Sequence, residues 1–163
     1  MEFKNPFEQE TLLAPRLLAL RRLCTVLAVS VLLLLVITAF LLSNNPRPAS
    51  FYLPDAVPIS LTLFSMILIL LSSRLRSAIV RRAIPRNPVL KPETETVLAA
   101  YKRGTLVSFL LLETAALIGI GVALVSWTLF YGLILCIAVL FAMLTRWPNA
   151  AQLGRILRGR SVP

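Results

Sequence analysis

Residues 105–125 read TLVSFLLLETAALIGIGVALV, a run that carries one charge, Glu113. A helix rises about 1.5 Å per residue, so this run is long enough to cross a hydrocarbon core of about 30 Å. A second apolar run, Leu129–Thr145, follows after only Ser126-Trp127-Thr128. The two therefore form a tight hairpin, with Trp127 and Tyr131 at the outer interface, where aromatic belts sit. Upstream lie two further runs. Cys24–Leu42 is rich in Leu and Val and stops at Ser43-Asn44-Asn45-Pro46. Val57–Ser73 is short, near the lower limit for a crossing. The connector between these two holds Pro46, Pro48, Pro54 and Pro58, which prevents one continuous helix. The expected fold is an all-α membrane protein of four transmembrane helices, arranged as two hairpins with basic amphipathic cytoplasmic segments.

Residues 1–23 read as an amphipathic cytoplasmic segment. Leu12, Leu13, Leu17, Leu20 and Leu23 recur at helical spacing beside Arg16, Arg21 and Arg22, a pattern that suits the headgroup layer. Residues 24–73 form the first transmembrane hairpin with its Pro-rich outer loop, and 74–104 a basic cytoplasmic loop. Within that loop the second helix can run on through Arg74, Arg76, Arg81 and Arg82. Pro92, Glu93 and Glu95 mark a new helix start, because proline suits the first turn and acids suit the positive end of the dipole. Residues 105–146 are the second transmembrane hairpin. Residues 147–163 are a basic interfacial tail, with Leu153, Ile156 and Leu157 set against Arg155, Arg158 and Arg160. A cleaved signal peptide is a poor fit to the N-terminus, since no small-residue cleavage site follows the first apolar run.

Charge sets the orientation. The chain is 58% hydrophobic with a net charge of +10, and all but one of its Lys and Arg, Arg47, flank the spans on one side. The positive-inside rule makes that side cytoplasmic. The expected place is a bacterial inner (cytoplasmic) membrane, multi-pass, with both termini inside. The basic clusters point to anionic lipid headgroups rather than nucleic acid as partner. Arg81, Arg82, Arg155 and Arg158 are the lipid-headgroup candidates.

Other chemistry is scarce. The chain has no histidine and two cysteines, Cys24 and Cys136, without metal-ligand spacing. Histidine-dependent catalysis and the commonest haem ligation are thereby excluded, and a disulfide is not expected. Gly119 and Gly121 are too sparse for a phosphate-binding loop, and the sequence holds no Walker pattern, nucleophile elbow or paired carboxylates. No catalytic residue, metal or cofactor is expected.

Glu113 lies about ten residues beyond Arg103, roughly 15 Å deep and near mid-membrane. An ionised carboxylate there costs about 3 kcal/mol on insertion scales. The side chain is therefore either protonated, or ionised opposite a cation, water or a polar group. Leu106, Phe109, Leu117, Ile120 and Leu124 share its helix face. Ala115, Gly119 and Ala123 form a separate small-residue stripe suited to close helix packing. Ser65, about nine residues from Arg74, lies at nearly the same depth, so a Glu113–Ser65 hydrogen bond is expected. Glu113 with Ser65 is the proton-binding candidate, although an intramembrane acid also serves as interhelical glue.

The run Ser108-Phe-Leu-Leu-Leu-Glu113-Thr-Ala-Ala-Leu-Ile-Gly119 resembles the carboxylate-bearing helix of rotary ATPase ring proteolipids. That resemblance implies a mid-membrane acid carrying protons or sodium. It covers one span. Cys24–Leu42 holds no glycine where such a hairpin has a glycine-rich partner helix, and the acid sits on the first helix of its hairpin rather than the second. The layout also resembles small four-span bacterial membrane proteins with an acid in the third span. The functional expectation is a non-enzymatic accessory or structural subunit of a larger membrane complex, contacting other subunits and anionic lipid. The alternative is a proton-relay, channel or small transporter subunit using Glu113.

Overall fold

A computed structural model describes residues 13–45, 54, 56–84 and 94–157. The described residues are helical, with no strand among them. Five helices follow one another: α1 Leu18–Asn44, α2 Ala56–Arg82, α3 Thr94–Ser126, α4 Leu129–Thr145 and α5 Ala150–Leu157. Residues 13–16 add a helical turn ahead of α1. The first three helices are each long and apolar enough to cross a membrane, and α4 joined to α5 through a 56° bend makes a fourth. The protein is therefore a multi-pass membrane protein of three to four spans.

The helix bounds follow the sequence closely, with three extensions. α1 begins at Leu18, ahead of the expected Cys24. α2 continues past Ser73 to Arg82 because Arg74, Arg76, Arg81 and Arg82 are good helix formers that favour the negative end of the dipole. α3 starts at Thr94, so the short helix and the third span are one unbroken rod. It ends in a Schellman motif: Trp127 adopts a left-handed φ of 52°, and the Thr128 amide donates to the Ala123 carbonyl at 3.1 Å.

α3 is the central helix. It touches all four others, and α4 touches α1, α2 and α3. Leu98, Tyr101, Thr105, Ser108, Leu112, Ala115, Gly119 and Val122 are all buried, at alternating spacings of three and four. That is a heptad seam. Gly132, Leu135, Val139 and Ala142 continue the pattern on α4. The two helices meet so closely that a Cβ on Gly132 would lie 2.7 Å from the Ala123 Cβ, and one on Gly119 would lie 2.9 Å from the Leu135 Cβ.

The first hairpin differs from expectation. α1 and α2 share no contact; they lie on opposite sides of the α3–α4 pair. Each has a single narrow buried stripe. On α1 it holds Cys24, Val31 and Thr38, and on α2 Pro58, Ser65 and Ser72. Both stripes repeat every seven residues and face the central pair, so neither helix has a second face left for the other. Outward, Val36, Phe40, Leu63, Leu70, Phe141 and Leu144 are exposed, as a lipid-facing perimeter requires.

The amphipathic ends also face inward. Leu13, Leu17 and Leu20 before and within α1 join one core cluster with Leu153 and Ile156 of α5. Their apolar side chains pack into the core of the bundle. Arg21 fastens these segments, its Nε donating to the Pro148 carbonyl at 3.0 Å.

Candidate functional site

Glu113 is half-buried at the middle of α3. Its Oε1 stands 3.0 Å from Ser30 Oγ on α1, whose one hydroxyl proton is shared between this carboxyl and the Leu27 carbonyl at 2.8 Å. This corrects the expected Glu113–Ser65 pair. Ser65 is fully buried on α2, and its hydroxyl donates to the Leu61 carbonyl of its own helix at 3.0 Å. Depth alone could not separate the two serines. Ser30 stands about eight residues beyond Arg22, and α1 runs parallel to α3, so Ser30 arrives at the same level. Several other hydroxyls in the spans turn onto their own helices: Thr38 to Leu34, Thr62 to Pro58 and Thr114 to Leu110, at 2.7–2.9 Å. A hydroxyl in hydrocarbon has few other acceptors.

Ala115, Gly119 and Ala123 are buried against α4. Arg81 and Arg82 are exposed in the last turn of α2, and Arg155 is exposed on α5. Arg158 lies outside the described residues.

A second polar assembly sits at the basic end of the bundle, built on two arginines that the charge count treats only as topology signals. Arg76 is 7% exposed. One turn beyond Ser72, it continues the Pro58–Ser65–Ser72 stripe and so points inward, while Arg74, Arg81 and Arg82 point out. Its Nη1 donates to the Arg146 carbonyl at 2.9 Å, and its Nη2 to Tyr101 Oη and Gln152 Oε1, both at 3.1 Å. The guanidinium carbon also stands 5.2 Å from the Tyr101 ring centroid, a cation–π distance. Gly104 admits this arrangement: a Cβ there would lie 3.2 Å from the Arg76 carbonyl oxygen.

Arg146 follows the last residue of α4, in phase with Val139 and Ala142. Its Nη1 donates to Ser72 Oγ and, at 3.5 Å, to Ser108 Oγ; its Nη2 donates to the Ile69 carbonyl at 3.2 Å. Tyr101 Oη closes the network, donating to Gln152 Oε1 at 3.1 Å and accepting from the Asn149 amide at 3.2 Å. Two arginines thus join α2, α3, α4 and α5. A cavity of about 150 Å³ here is lined by Arg76 and Arg146 together with Ser73, Ser77, Tyr101, Thr145 and Gln152, and by the apolar Val80 and Ile156. A wider polar groove adjoins it, sharing Thr145 and Gln152 and adding Arg21 and Arg155.

The sequence signal for this assembly is phase. Arg76 and Arg146 each extend a buried stripe past the end of an apolar run, which aims a charge into the bundle. No protein-family model matches this chain, and neither does any curated protein or solved structure.

Proposed function

We propose that this protein is a non-catalytic accessory subunit of a larger energy-transducing or transport complex in a bacterial inner membrane. It crosses four times with both termini cytoplasmic, and it stabilises the assembly through helix and lipid contacts. The observation that carries this reading is the use of the polar groups inside the spans. Glu113 is held by Ser30 across two parallel helices, and the neighbouring hydroxyls bond to carbonyls of their own helices. Such groups act as fasteners between helices. The broad apolar perimeter of α1, exposing Val26, Val29, Leu33, Val36 and Phe40, supports contact with lipid or a neighbouring subunit along that side.

The test is purification of the tagged protein in mild detergent, with mass spectrometry of proteins recovered in stoichiometric amounts. Larger membrane partners are expected. Recovery of the chain alone would overturn the subunit reading and favour the relay through Glu113, whose partial exposure leaves it reachable. Glu113→Gln then separates the two readings. A subunit keeps its assembly and its complex's activity, whereas a relay loses proton flux.

A further inference from the structure

Two arginines face one cavity, and every acceptor they contact is neutral: carbonyls, hydroxyls and one amide. The two carboxylates among the described residues are engaged elsewhere, Glu95 with Arg16 and Glu113 with Ser30. Arg76 is buried and Arg146 partly so; charge in such places is ordinarily paired, yet this pair lacks a counter-anion among the described residues. Each guanidinium has five N–H donors, and the contacts above use three on each. The guanidinium donors left over suit a compact oxyanion with several acceptor oxygens, and guanidinium forks match phosphate geometry.

We propose that the cavity lined by Arg76 and Arg146 is a phosphate-binding site that holds one phosphate group at the basic end of the bundle. The phosphate comes either from the headgroup of an anionic lipid or from a soluble phosphate. The lipid source rests on the membrane placement proposed above. Ser73 and Thr145 of the cavity lining stand just past the exposed Leu70, Leu71 and Leu144, so acyl chains can lie along these leucines while the phosphate enters between the arginines. Arg21 and Arg155 in the adjoining groove steer anions toward it. The exposed Arg81 and Arg82 are outside this site.

The experiment uses the full-length protein in neutral detergent and phosphate-free buffer. Its unfolding temperature is followed during titration with inorganic phosphate or with phosphatidic acid in mixed micelles; phosphatidylcholine is the zwitterionic control. Native mass spectrometry counts bound lipid. A saturable rise with one ligand per chain is expected, unchanged by Arg81→Gln with Arg82→Gln. Affinity falls about tenfold or more in Arg76→Gln or Arg146→Gln, each of which removes charge-assisted hydrogen bonds. Should either variant fail to fold, Ser73→Leu decides: it fills the cavity with both arginines in place, and a comparable loss is expected. A preference for phosphatidic acid over inorganic phosphate assigns the site to a headgroup. Equal or better binding of inorganic phosphate assigns it to a soluble phosphate. The proposal is overturned if the native chain shows no saturable rise with either probe. It also fails if Ser73→Leu binds as the native chain does, or if the Arg81/Arg82 double variant loses as much affinity as Arg76→Gln. The partner pull-down plays no part in this titration, so either idea can fail without the other.

Discussion

Ser30 on α1 and Glu113 on α3 face one another across two parallel helices, with 3.0 Å between the hydroxyl and carboxyl oxygens. The bond is the mid-depth fastening of a helix that is otherwise held to the bundle by one narrow stripe. Interhelical hydrogen bonds in membranes are worth about 0.6 kcal/mol on average and up to about 1.7. Ser30→Ala is expected to destabilise the protein within that range, and Glu113→Gln by less, because the amide oxygen can accept the same bond. A double-mutant cycle in detergent unfolding should find coupling between residues 30 and 113 and none between 65 and 113. Coupling of Ser65 to Glu113 would refute the assignment.

The α3–α4 seam makes a graded prediction. Gly132→Ala drives a Cβ to 2.7 Å from the Ala123 Cβ and 3.0 Å from the Gly119 carbonyl oxygen, an overpacking worth about 1–3 kcal/mol. At Gly121 a Cβ would meet nothing within 4 Å, so Gly121→Ala is expected to be neutral or mildly stabilising, through helix propensity alone. Gly119→Leu should be more disruptive than Leu117→Ala, since Leu117 is 49% exposed. Thermal unfolding in one detergent ranks all four variants.

Tyr101→Phe removes one oxygen that serves three partners: Arg76, Gln152 and the Asn149 amide. A buried donor left without its acceptor costs about 1–3 kcal/mol. The loss should appear as lowered stability and as earlier protease cleavage in residues 147–157, as this segment detaches.

The pair Arg16–Glu95 offers the opposite case. Its side chains are 51% and 68% exposed, and exposed pairs contribute roughly 0–1 kcal/mol. Arg16→Ala is expected to change stability by less than about 0.5 kcal/mol, and any effect should vanish in high salt.

Cys24 and Cys136 are buried, at 0% exposure each, and neither is in a disulfide. A maleimide should therefore label neither in the folded protein and both after unfolding in denaturing detergent. Rapid labelling of the folded chain would contradict the packing of α1 and α4 described here.

The helices themselves were legible because apolar run length and proline position act locally. Leu129–Thr145 has the same bounds in sequence and structure. Which helices touch was less legible. Ser30 and Ser65 are equally deep and equally polar, and only the three-dimensional order of helices selects Ser30. α1 and α2 look like a hairpin from their connection, yet their seven-residue stripes send each to a different side of α3. Arg76 and Arg146 were hidden by a count that weighs every Arg alike, whereas helical phase divides Arg76 from Arg74, Arg81 and Arg82. The inward turn of Leu153 and Ile156 depends on the bend after α4, which composition does not encode.

The separation of α1 from α2 has a consequence for biogenesis. Chains emerge N-terminus first, so α1 and then α2 are made before α3 and α4, the helices on which they chiefly pack. Each must persist for a time as a solitary span, with its polar atoms self-satisfied. Their composition meets that demand, since Thr38, Thr62 and Ser65 bond to their own backbones. Docking then awaits α3 and α4, which join two separate rods into one molecule.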